Sequence, residues 1–106
     1  MYKPLPESLT IKQSGINGLG LFADQKIMQG TNLGMSHLKI GDTIFRTPLG
    51  GFINHANEAN CAKAELRMTS EDLQGHQYSY KKWNLITSQN IEKGEELTVR
   101  YTFYKV

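Results

Sequence analysis

One cysteine, one tryptophan and three prolines in 106 residues close several classes of protein to this chain. Cys61 has no partner for an internal disulfide, so packing alone has to hold the fold, and the count suits a reducing, intracellular and cytoplasmic setting. A lone cysteine also cannot build a Cys-rich zinc site, and no structural metal is expected. No stretch approaches the roughly 20 apolar residues that span a bilayer. The start, Met1-Tyr2-Lys3-Pro4-Leu5-Pro6-Glu7, lacks the apolar run of a signal peptide. No membrane partner is expected. Charge of one sign is scarce too: the net charge is +2 and the pI about 8.7. The lysines and arginines are scattered without forming a block, so no direct nucleic-acid partner is expected.

What is present fits one soluble globular domain over residues 1–106, with 39% hydrophobic and 21% charged residues. Residues 1–8 read as a lead-in. Leu9–Ser14 alternates apolar and polar, as a short strand does, and Leu21-Phe22-Ala23 is a second strand after a glycine-punctuated loop. A connection turning at Gly30 precedes strands at Asn32–His37 and Thr43–Thr47, with Gly41-Asp42 as the turn between them. Ala62–Met68 alternates apolar and charged residues strictly, which predicts one face in the core and one in water. After a polar loop at Thr69–Gln77, Tyr78–Ser88 is its expected hairpin partner, and Leu97–Tyr101 a last strand. No apolar period of 3.6 is sustained over two turns, and Ile91–Glu96 is the best place for one helical turn. The class is mostly β, with little helix.

Three stretches stand apart. Gly50-Gly51-Phe52-Ile53-Asn54-His55-Ala56-Asn57-Glu58-Ala59-Asn60-Cys61 is too amide-rich for a helix and too apolar at its start for a solvated loop. It reads as a buried turn whose polar groups face a ligand or another strand. Gly18-Leu19-Gly20-Leu21-Phe22-Ala23 precedes it, and Gly94-Glu95-Glu96-Leu97-Thr98-Val99-Arg100-Tyr101 follows it. In this order the three motifs resemble the SET domain, the fold of most protein-lysine methyltransferases, over about residues 15–103. The size is most similar to the minimal viral and microbial members, without the regions that flank the domain in larger relatives. The resemblance implies several small curved sheets, with a C-terminal segment passing knot-like through a loop near Asn54-His55.

It also implies chemistry. Methyl transfer from S-adenosyl-L-methionine to a lysine is an in-line displacement that needs sulfonium and neutral amine on opposite sides of one methyl. Lysine, with a reference pKa of about 10.4, is neutral only about once in a few thousand at pH 7, so the site must desolvate the amine or place cations beside it. By resemblance, Gly18, Leu19 and Gly20 bring backbone to the cofactor, Asn54 bonds its amino-acid end, His55 contacts the adenine and Tyr104 caps it. Tyr101 is the implied catalytic residue, positioning the amine with its hydroxyl. Phe52, Val99 and Phe103 are the implied lysine channel, and Asn60 has a supporting role. Taken alone, His37 and His76 read as structural residues.

The resemblance therefore implies a protein-lysine N-methyltransferase whose partner is a lysine-containing protein, with basic histone tails the family's best-known substrates. Segment 32–50 is shorter than the groove-forming insert of most relatives, and the closing motif spans 94–104. A groove so abbreviated leads us to expect a homodimer in which a second subunit completes it. The alternative reading is a SET-like module with weak catalysis that acts by binding a partner.

Overall fold

A computed structural model describes residues 5–100. Tyr101, Phe103 and Tyr104, named above for catalysis, channel and cofactor, lie outside the described residues, and so does the end of the segment for which the resemblance implies knot-like threading. Strands this short can satisfy their backbone groups only by pairing, and every described strand pairs with at least one neighbour. β1 (Leu9–Gln13) and β2 (Leu19–Ala23) form an antiparallel hairpin with Leu9 opposite Ala23. Its loop is tied by Ser14, whose Oγ accepts from Ile16 N at 2.9 Å and whose N–H donates to Gly18 O at 2.7 Å. Gly18 takes a φ of +47° there, a region that other residues enter only at a steric cost. β3 (Asn32–Ile40) and β4 (Thr43–Arg46) turn back at Gly41-Asp42.

One helical turn, α1 (Pro48–Phe52), leads into the two-residue β5 (Asn54–His55). β6 (Cys61–Glu71) and β7 (Gln77–Thr87) make a long antiparallel ribbon, and β8 (Glu96–Val99) closes the fold. The sheet order is β1-β2-β8-β6-β7-β3-β4, with β5 also against β8. β8 is antiparallel to β2 and parallel to β5 and β6. The core gathers around it: Leu21, Leu85, Ile91 and Leu97 are fully buried, with Leu9, Ile27, Leu49, Ile53, Cys61 and Val99 around them. This is mostly β, as the sequence predicts.

Three expectations are corrected. The helical turn lies at Pro48–Phe52; Ile91 instead bridges Ile27 through two backbone hydrogen bonds of 2.8 Å. Pro48 opens α1 where its missing N–H costs nothing, and Gly50 packs so closely on β3 that a Cβ would strike the Ser36 carbonyl and the His37 ring. The loop between β6 and β7 is shorter than Thr69–Gln77, because both strands continue to Glu71 and Gln77. Most tellingly, Ala62–Met68 is a strand, yet past Cys61 no residue of β6 is buried. The ribbon runs beyond the body of the fold, and the apolar face that holds Leu66, Tyr78, Ile40 and Phe45 is left open.

Candidate active site

The site is built where β2, β5 and β8 meet. Parallel pairing sets Asn54 beside Thr98 and His55 beside Val99, and Ala56 N donates to Val99 O at 3.2 Å. Of the polar run after Ile53, expected to be a buried turn, only Asn54 and Asn60 are buried, both against β8, while Asn57 and Glu58 are exposed. Asn54 is buried, and its Nδ2 donates to three acceptors: Asn17 O at 3.1 Å, Leu19 O at 3.2 Å and Glu96 Oε2 at 2.9 Å. One side chain therefore ties the glycine loop, the Asn-His segment and the closing motif together.

Glu96 is the hub that the sequence reading missed. Both its carboxylate oxygens also accept from Ser14 Oγ, at 2.8 Å each. It starts β8 opposite Phe22. Gly20 makes room for it, since a Cβ there would collide with the Glu96 carboxylate and sit 3.1 Å from Asn54 Nδ2. The signal was a charged residue opening a strand otherwise made of buried positions, facing a strand that contains glycine. Asn60 clips the same strand from its other side: Nδ2 donates to Glu96 O at 2.9 Å, and Oδ1 accepts from Thr98 N at 2.8 Å. It is a structural clamp here.

The remaining named residues divide by place. Gly18 is exposed with open space around its α-carbon, and the Leu19 side chain is half exposed while its carbonyl holds Asn54. His55 is partly buried, with Nε2 3.2 Å from Asn57 Oδ1. Phe52 packs against the core. Val99 is buried and, with Cys61, Lys63, Trp83 and Arg100, lines a depression of about 230 Å³. The structure thus brings Gly20, Leu19 and Asn54 together, and sets His55 and Val99 in adjoining register.

Three titrations are shifted nearby, that of Lys63 being lowered by burial. Burial pushes the Cys61 thiol up to about 12, so it stays protonated and is no nucleophile. His37 is lowered to about 4, chiefly by burial and then by Lys63 and Arg46. Its Nδ1 lies 3.0 Å from Ser36 Oγ, which itself donates to Trp83 O at 3.2 Å, so Nδ1 carries the proton of the neutral ring. It is a structural histidine.

Residues 35–102 match the SET-domain family model, well over half of the chain, and the chain belongs to the SET-domain family. Membership supports methyltransferase activity. The fold is similar to the crystal structure of a Plasmodium falciparum protein provisionally described as a histone methyltransferase. That likeness covers 93% of this chain and 96% of the other, at 14% identity and a TM-score of 0.65, and it speaks for the fold. No curated protein matches the chain at a significant level.

Proposed function

We propose that the protein transfers a methyl group from S-adenosyl-L-methionine to the amine of a lysine side chain in a protein substrate. The observation that carries this reading is the convergence of Gly20, Asn54 and Glu96, from three distant motifs, on one hydrogen-bonded cluster at the start of β8. The residues fit a cationic cofactor. Asn54 Oδ1 accepts from none of the described residues, which leaves an acceptor for an ammonium, and the Glu96 carboxylate supplies negative charge beside the exposed Gly18–Leu19 backbone.

When bound, the cofactor supplies an electrophilic methyl on a sulfonium. The chain does the rest. Gly18, Leu19 and Gly20 would let backbone approach it, Asn54 and His55 would hold its polar ends, and Tyr104 would cover it. Phe52, Val99 and Phe103 exclude water around the lysine and strip its amine of hydration. Tyr101 orients that amine with its hydroxyl. With the amine held there in its neutral form, its lone pair would be the nucleophile for that methyl, and the cofactor's sulfur would take the electrons of the bond that breaks. The ammonium proton leaves to water, since a phenol with a pKa near 10 is a poor base at neutral pH.

Titration calorimetry with S-adenosyl-L-methionine tests the first half: saturable binding is expected in the wild type and absent in Asn54→Ala. Transfer of a radiolabelled methyl tests the second half. Tyr101→Phe should keep the cofactor and lose turnover. Binding without transfer in the wild type, over a broad set of lysine proteins, would instead establish a binding module.

A further inference from the structure

Cross-strand register gathers on one face of the sheet the cations that the sequence scatters. Lys39, Lys81 and Arg67 stand side by side across β3, β7 and β6. All three line a concavity of about 410 Å³, together with Thr69 and Ser79. Strand alternation sets Lys63 and Arg46 on the same face, and both act electrostatically on His37 there. Glu65 and Glu71 are the acids that alternation puts on this face. Among the described residues no ion pair joins Lys39, Arg46, Arg67 or Lys81 to an acid. Like charges directly opposite one another destabilise a sheet, so the row needs a reason outside the fold.

The same face leads to the depression beside Val99, which Lys63 and Arg100 also line. Cys61 pairs with Val99, and Arg67 lies six residues further along β6, about 20 Å away at strand rise. An extended peptide covers that distance in about six residues.

We propose that this face is the substrate track, and that the substrate is a protein segment with a block of acidic side chains about six residues from the acceptor lysine. The carboxylates sit over Lys39, Arg67 and Lys81, and the lysine enters beside Val99. The inference rests on Val99 marking the lysine channel in the function proposed above. It assigns a second task to Lys63 and Arg100: cations beside the entering amine favour its neutral, nucleophilic form. It also reverses the preference for basic tails that family resemblance alone suggests. Nucleic acid is the other polyanion, and the face suits it less. The concavity has room for a few side chains only, Glu65 and Glu71 interrupt the positive surface, and a whole-chain charge of +2 is weak for a phosphate backbone.

The test uses fluorescein-labelled peptides with one lysine and a three-residue block six positions away on either side, the block being Glu, Ser or Lys. Fluorescence polarisation reads binding, and radiolabelled methyl transfer reads turnover. The Glu peptide should bind about tenfold more tightly than the Ser peptide, as three exposed ion pairs together allow. The Lys peptide should bind most weakly. The advantage should shrink at high salt and vanish in Lys39→Ser/Arg67→Ser/Lys81→Ser, whose melting temperature and cofactor binding should hold. The wild-type comparison stands even if that variant does not fold. Equal binding of the three peptides, or an advantage that survives the triple substitution, overturns the proposal. So does a labelled DNA duplex or single-stranded RNA that binds this face more tightly than the Glu peptide and displaces it. Selective binding of the Glu peptide without methyl transfer keeps the acidic-segment track and sinks the methyltransferase reading instead.

Discussion

Replacing Glu96 by Gln should loosen the fold and the proposed cofactor site together. The change keeps the shape of the side chain but removes its charge and turns one acceptor oxygen into a donor. Ser14 Oγ and Asn54 Nδ2 both donate to that carboxylate, at 2.8 and 2.9 Å. A hydrogen bond to a charged group contributes about 1.5–3 kcal/mol, and one good acceptor remains in the variant. The site is only part-buried, so water recovers some of the rest. We expect a loss of about 2 kcal/mol in urea unfolding, with an unchanged m-value, against a total stability of about 5–15 kcal/mol. Asn54, released from its anchor, should bind S-adenosyl-L-methionine at least about tenfold more weakly, since 1.4 kcal/mol is a factor of ten. Gly20→Ala should reproduce both effects, because its Cβ displaces the same carboxylate. A Glu96→Gln protein with the wild-type urea midpoint and wild-type calorimetric affinity would refute the assignment of Glu96 as the hub.

Acidification should weaken the protein through His37. Its folded pKa of about 4 lies below the ordinary 6.5, so the unfolded chain takes up the proton first. Stability from this group is therefore complete above pH 6.5 and is lost as pH falls from 6.5 to 4, by at most about 3 kcal/mol. Urea midpoints at several pH values, for wild type and His37→Asn, should show that slope in the former and a shallower one in the latter. Asn60→Ala should cost about 2–3 kcal/mol, because it leaves the buried Thr98 N–H without its 2.8 Å acceptor and frees the Glu96 carbonyl. Thermal melts would check it, and a loss below about 0.5 kcal/mol would mean that water replaces the clamp.

Much of this architecture was legible in local pattern. Alternation and glycine punctuation placed β1 to β4 and the Gly41-Asp42 turn, and the three motifs placed the cluster at β2, β5 and β8. What escaped has a common cause. Period-two alternation in Ala62–Met68 reports that two faces differ, and it is silent about whether a second layer covers the apolar one. α1 carries two glycines in five residues, which propensity rejects; its packing against Ser36 and His37 decides the matter instead. Glu96 sat within a recognised motif, yet its partners Ser14 and Asn54 lie 82 and 42 positions away, beyond the reach of any local signal. The basic face escaped for the same reason, since register between strands created it.

β8 has a bearing on how the chain is made. Among the described strands it alone joins β1–β2 to the β6–β7–β3–β4 portion of the sheet, and it pairs residue 21 with residue 97. A ribosome adding about 5–20 residues per second releases both portions before the four residues that join them. Until then β2 presents an open edge at Leu21 and Phe22, the kind of surface on which nascent chains stick to one another. Loop closure over so long a span is slow, and the proposed cofactor site and the protection of the β2 edge arrive in the same event. Substitutions that delay β8 would therefore show first as insoluble protein during synthesis, while the fraction that does fold would carry normal sites.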